Sequence, residues 1–155
     1  MEFIVDNRNS PAVMIDYAHT PQALINVLKV LREHCAGKLW CVFGCGGNRD
    51  QGKRKLMAHA VEQYADVAVI TDDNPRFEDP DEITNEIQSG FSSSSHYSII
   101  HDRHKAIEYA IQSAGDEDVV LIAGKGHETV QIIKHDCLPF DDKKIANAII
   151  EKISR

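Results

Sequence analysis

Long hydrophobic runs are missing from this 155-residue chain, and no apolar stretch approaches the roughly 20 residues that a helix needs to cross a bilayer. A secretory leader is not evident either. Residues Met1 to Asp6 are acidic and lack the basic segment that opens a signal peptide, so a cytoplasmic location is expected. Positive charge is the scarcer sign: 17 Lys and Arg stand against 24 Asp and Glu, a formal net charge of −7. That balance argues against a general nucleic-acid or anionic-membrane binder, whose phosphate contacts need a basic face. Cysteines are few: Cys35, Cys41, Cys45 and Cys137. Cys41 and Cys45 have no second ligand pair near them, which disfavours zinc. A disulfide framework does not suit a chain of this size and character. The cysteines are expected to be small buried thiols.

What remains is an ordinary globular composition, 43% hydrophobic and 26% charged, enough for one domain over residues 1–155 with a real core. Strand-like and helix-like segments alternate along it. Apolar runs at Ala12–Ile15, Leu39–Phe43, Val67–Ile70, Tyr97–Ile100 and Val119–Ala123 read as strands. Between them lie helical patterns. Thr20-Pro21 caps and starts the first, which carries Leu24, Val27, Leu28 and Leu31 and ends near Gly37. A second shows Leu56, Met57, Ala60, Val61 and Tyr64. Asp79-Pro80-Asp81-Glu82 is a strong start for a third, bearing Ile83 and Ile87. Asp102 caps a fourth with Ala106, Ile107, Ala110 and Ile111 inward. Residues 92–95, all serine, read as a flexible loop tip. Residues 129–134 and 137–140 suit a short hairpin, and a last helix follows over about 141–153. This alternation predicts an α/β fold: a Rossmann-like, doubly wound, mostly parallel sheet of about six strands with helices on both faces.

Ligands of such sheets bind beyond the carboxyl ends of the strands. Four polar, glycine-rich loops fall there: residues 16–21, 44–54, 72–76 and 124–128. In "FGCGGNRDQGKR" the glycines allow tight turning and close approach to a ligand, and Arg49, Lys53 and Arg54 add positive charge. The spacing matches neither a Walker A loop nor G-x-G-x-x-G. It is either an anion-binding loop or a glycine turn before a helix. In "TDDNPRF", Pro75 stiffens the loop and keeps Asn74 out of helical conformation. Asp72 and Asp73 can orient a guanidinium, and Arg76 can grip a carboxylate through two parallel hydrogen bonds. The alternative is a plain turn. In "AGKGHE", Glu128 can accept from an ammonium group, with Lys125 and His127 as polar companions, or the stretch is a turn with solvated charges. In "DYAHTP", His19 is a phosphate contact or a helix-end hydrogen bond. Together the loops offer arginines for a carboxylate and a glutamate for an amine, which suits a zwitterionic amino acid. Spacing alone shows no nucleophile with a base and no complete nucleotide site.

These four stretches, in this order and each at a strand end, resemble the C-terminal domain of the Mur ligases, and the likeness runs from about Val13 to the last helix. Within the family, Asp-Asn-Pro-Arg resembles the version associated with meso-diaminopimelate rather than L-lysine. The resemblance implies an ATP-dependent ligase of peptidoglycan precursor synthesis. A carboxylate of UDP-N-acetylmuramoyl-L-Ala-D-Glu is activated as an acyl phosphate. The amine of meso-diaminopimelate attacks it, and the tetrahedral intermediate collapses to amide and phosphate. By the same resemblance Asn74, Arg76 and Arg49 are expected at the distal carboxylate of diaminopimelate, with Asp73 shaping the loop and helping to hold Arg76. The Gly124 carbonyl and Glu128 carboxylate are expected at the distal ammonium, Asp16 at the ATP ribose and His19 near the phosphates. The main ATP and Mg2+ sites of such ligases lie in a central domain, so the chain is expected to be one monomeric part of a three-domain enzyme, inactive alone. A free-standing amino-acid-binding module and a domain of the folylpolyglutamate synthetase group are the competing expectations. The latter leaves the "DNPR" loop unexplained.

Overall fold

The computed structural model describes residues 2–4, 10–48, 51–92 and 96–153. Among the described residues, eight strands and five helices follow in the order β1 (Glu2–Ile4), β2 (Ala12–Asp16), α1 (Pro21–Glu33), β3 (Leu39–Phe43), α2 (Gly52–Tyr64), β4 (Val67–Ile70), α3 (Pro80–Gln88), β5 (Tyr97–Ile99), α4 (Arg103–Ser113), β6 (Val119–Ala123), β7 (Val130–Ile133), β8 (Asp136–Pro139) and α5 (Asp142–Ile153). Six strands form one sheet in the order β1-β2-β6-β3-β4-β5, and β7 and β8 make a separate hairpin. Strands β2 to β6 of that sheet all run parallel. Strand β1 pairs antiparallel with β2 at the edge, an element the sequence pattern did not predict.

The period-2 alternation of strand side chains explains the two-layered core. In β6, Val119, Leu121 and Ala123 face a cluster built with α1, α2 and α3, whereas Val120 and Ile122 face one built with α4 and α5. Strand β3 divides in the same way, with Leu39, Cys41 and Phe43 on the first face and Trp40 and Val42 on the second. Both strands are buried along their whole length, as a parallel sheet covered on both faces requires.

The helix starts follow the capping residues. Thr20 accepts from the Ala23 amide, Asp79 from Asp81 and Asp102 from Lys105. Three expectations need correction. Gly37 does not cap α1, which ends at Glu33 with His34 as cap. Gly37 instead lets two loops meet, since an added Cβ would stand 2.3 Å from Asp118 Oδ1. Leu56 points outward, 55% exposed. Each helical residue turns about 100°, which sets Leu56 outside the stripe of Met57, Ala58, Ala60 and Val61. Among the cysteines, Cys41 and Cys45 are buried thiols, but Cys35 is half-buried and Cys137, on the hairpin, is exposed. Burial pushes the Cys45 thiol up to about 12 and Cys41 higher still. The serine loop at residues 93–95 lies outside the described residues. No helix among the described residues is long and apolar enough to cross a membrane.

Candidate functional site

The four loops named from the sequence leave the carboxyl ends of β2, β3, β4 and β6 and meet at one edge of the sheet. Between them lies a cleft of about 270 Å³ lined by Tyr17, His19, Gly46, Lys53, Asp73, Asn74, Arg76, Gly124 and Glu128. Six expected residues thus come together there: His19, Asp73, Asn74, Arg76, Gly124 and Glu128. Asp16 sits just behind, its Oδ1 accepting from Ala18 N at 2.8 Å and its carbonyl from Gly124 N at 3.0 Å. Arg49 lies outside the described residues. The cleft also takes Tyr17, Gly46 and Lys53. Tyr17 was legible only as a neighbour inside "DYAHTP", and its ring packs against His19 with centroids 4.5 Å apart. Lys53 donates to the His19 carbonyl at 3.0 Å, which ties the second loop to the first.

The loop after β4 is held on every side. Gly47 N donates to the Asn74 carbonyl at 2.8 Å, and a Cβ on Gly47 would stand 1.8 Å from the Pro75 carbonyl. This glycine therefore serves the close approach of one loop to another; close approach to a ligand was the expectation for the glycines of this stretch. Arg76 N donates to Ile132 O, and Lys134 N donates back to Arg76 O, so the hairpin bridges to Arg76. Arg76 adopts φ +55°, an uncommon conformation for a residue with a side chain. Its Nη1 donates to the Gly47 carbonyl at 3.1 Å and more weakly to the Asn74 carbonyl at 3.4 Å. Backbone carbonyls, and not Asp72 and Asp73, orient this guanidinium.

Both aspartates have other partners. Asp72 Oδ1 meets His101 Nδ1 at 2.8 Å, while its carbonyl accepts from Arg103. Burial raises the Asp72 carboxyl above its ordinary value despite the bond to His101. Asp73 Oδ1 lies 3.2 Å from Lys125 Nζ, close enough for an ion pair but off hydrogen-bond alignment. Asp73 therefore shapes the loop through Lys125, and its expected hold on Arg76 is not seen. Lys125 is not a solvated turn charge: it is completely buried, and burial lowers its pKa.

Of the three cations after β3, Arg54 is already committed. It is 0% exposed, bonds Glu78 through both terminal nitrogens, and also reaches Glu86 and the Gly46 carbonyl. Burial disfavours its charge, but the two glutamates outweigh that and raise its pKa. The cleft is lined by residues able to donate, Asn74, Arg76 and Lys53, and by the carboxylate residues Asp73 and Glu128. Gly124 adopts φ +112°, and a Cβ there would lie 3.1 Å from Asp73 Oδ2, so a side chain would be both strained and crowded. The arrangement can grip one group of each sign at once. Among the described residues, no group of three or more His, Cys, Asp or Glu could hold a metal ion.

The chain matches the family model described as "Mur ligase, glutamate ligase domain" over residues 1–126. It is 53% identical over 138 residues to UDP-N-acetylmuramoyl-L-alanyl-D-glutamate--2,6-diaminopimelate ligase of Haemophilus influenzae, covering 89% of this chain and 28% of that protein. A solved structure of a ligase of the same name superposes with a TM-score of 0.94 at 43% identity, over 100% of this chain and 32% of that one. E. coli FolC in complex with ADP, at 16% identity and a TM-score of 0.59 over 96% of this chain and 30% of that one, shares the fold. The chain spans little more than a quarter of the curated relative it matches.

Proposed function

Since the chain belongs to the Mur ligase family and carries its glutamate ligase domain, we propose that it is the amino-acid-binding domain of the ATP-dependent ligase that joins meso-diaminopimelate to UDP-N-acetylmuramoyl-L-Ala-D-Glu during peptidoglycan precursor synthesis. The observation that carries this is the two-signed cleft: Asn74, Arg76, Gly124 and Glu128 all line one cavity of about 270 Å³. The distal end of diaminopimelate bears a carboxylate and an ammonium on one carbon, and the cleft offers a partner for each. Arg76, with Arg49, takes the carboxylate, and Glu128 with the Gly124 carbonyl takes the ammonium. Held by its distal end, the ligand keeps its other amine free to attack an acyl phosphate.

L-Lysine lacks the distal carboxylate and would leave Arg76 unpaired. Sites built around a polar partner reject analogues that lack it. The exposed His19 ring, with Lys53 bonded to the His19 carbonyl, suits the phosphates of ATP, and Asp16 would accept from a ribose hydroxyl. The accompanying Mg2+ is assigned to other parts of a longer, three-domain enzyme that acts as a monomer in the cytoplasm. The chemistry of activation is likewise assigned there, so the 155-residue chain alone would not ligate.

Arg76→Ala in the complete ligase tests the assignment. We expect kcat/KM for meso-diaminopimelate to fall by at least about thirtyfold, as when one member of a buried ion pair is removed. Arg76→Lys should recover little of the loss, because a point charge cannot reproduce the bidentate fork. Unchanged kinetics with meso-diaminopimelate would refute the role of Arg76.

A further inference from the structure

We propose that Lys125 is a positioning residue: it fixes the side-chain amide of Asn74 so that the NH2 edge faces the cleft, and thereby makes that point selective for an anionic group. Lys125 Nζ donates to Asn74 Oδ1 at 2.7 Å, and the Ile132 amide donates to the same oxygen at 2.9 Å. An ammonium and a backbone N–H can only donate. An amide group held between two such donors must present its oxygen to them, which settles by chemistry an orientation that is often ambiguous. Asn74 Nδ2 is then left for the cleft that Asn74 lines, as a donor for a carboxylate. The identity of that carboxylate, the distal one of diaminopimelate, rests on the functional reading above.

The surroundings show why a lysine stands here. A fully buried ammonium is costly unless it is paired and hydrogen-bonded. Lys125 is paired with Asp73 Oδ1 at 3.2 Å, has Glu128 Oε1 at 4.0 Å, and donates also to the Val130 carbonyl at 3.0 Å. One cation thus joins the loop after β4 to the loop after β6 and to the start of the hairpin. With an apolar residue at 125, only the Ile132 amide would hold the Asn74 oxygen inward. The flipped amide, which turns an acceptor toward the ligand carboxylate, would then compete.

A double-mutant cycle in the complete ligase decides the matter. Lys125→Met should raise KM for meso-diaminopimelate roughly ten- to a hundredfold, the span of a lost hydrogen bond to a charged group, with KM for ATP within about twofold of wild type. If Lys125 acts through Asn74, adding Lys125→Met to Asn74→Ala should worsen KM by no more than about a further twofold. Multiplied losses in the double variant, or an unchanged KM in Lys125→Met, would overturn the proposal. Asn74→Asp leaves Lys125 in place and tests the polarity separately. Its carboxylate keeps both inward donors but turns an oxygen to the cleft, so KM should rise at least as far as in Asn74→Ala. Wild-type affinity in that variant would overturn the proposal even if Lys125→Met fails to fold. A wild-type ligase indifferent to meso-diaminopimelate would instead overturn the functional reading and the selectivity built on it.

Discussion

Arg54, Arg103 and Lys125 all bury their charge completely, and their partners give them different tasks. Arg54 ties α2 to the segment before α3 through Glu78 and to α3 itself through Glu86. Lys125 backs the candidate site by holding Asn74, which lines it. Arg103 lies beneath it, where its Nε and Nη2 grip the two oxygens of Asp142 at 2.8 and 2.7 Å and Nη2 also reaches the Ala123 carbonyl. Both side chains of that pair are 0% exposed, so no water can replace a missing partner. Asp142→Asn should therefore lower the stability of the chain by about 3–5 kcal/mol in a denaturant titration, because it leaves the guanidinium buried and uncompensated. Replacing both members with apolar residues should cost less than the single change. A single-variant loss below about 1 kcal/mol would show that the pair is not what anchors α4 to α5.

At the scale of elements, the capping residues were legible because each acts within three residues of its own position. Thr20, Asp79 and Asp102 needed no knowledge of the rest of the fold. The ties between loops were not legible, because their partners are far apart in the chain. Lys125 and Asn74 are separated by 51 positions, Arg54 and Glu78 by 24, and no local pattern marks which charges will be spent on one another. His101 is another such tie, with Nδ1 at 2.8 Å from Asp72 and Nε2 at 3.0 Å from Asp81. A ring facing a carboxylate with each nitrogen is satisfied only as the imidazolium. The bond to Asp72 raises its pKa above 6.5 against the opposing effect of burial. A raised histidine pKa gives stability that is complete below 6.5 and is lost as pH rises through the folded value. Because the ring is 39% exposed, the amount is modest, about 0.2–1 kcal/mol. Urea titrations at about pH 6 and about pH 9 should show that decline in wild type and a flatter profile in His101→Gln. Equal slopes in the two proteins would remove His101 as its source.

For the molecule as a whole, the strand order places β6 between β2 and β3, so the strand that carries Gly124 and Lys125 at its end is, like β3, central and buried throughout. Native-state hydrogen exchange should be slowest at Val120 to Ile122 and fastest in β1 and β8, since protection follows depth in the cooperative core. Comparable rates in β1 and β6 would contradict this. The same geometry explains which strands the sequence disclosed. The buried strands β3, β4 and β6 are near-continuous apolar runs that no surface element would carry. Strand β1 has three residues, one of them buried, and becomes a strand only because β2 offers an open edge. The candidate cleft was visible as four polar loops at strand ends. Which of their residues face inward depended on Gly47 and the hairpin, contacts that exist only once the sheet is assembled.

The bridge between Arg76 and the hairpin is made wholly by backbone atoms, from Arg76 N to Ile132 O and from Lys134 N to Arg76 O. What the hairpin contributes to Arg76 there is a path of the chain, not a set of side chains. Drift of residue type at 132 and 133 leaves those two bonds in place, whereas inserting or deleting one residue would shift the register and release the arginine. The placement of Arg76 is in that sense insured against substitution and exposed to changes of length.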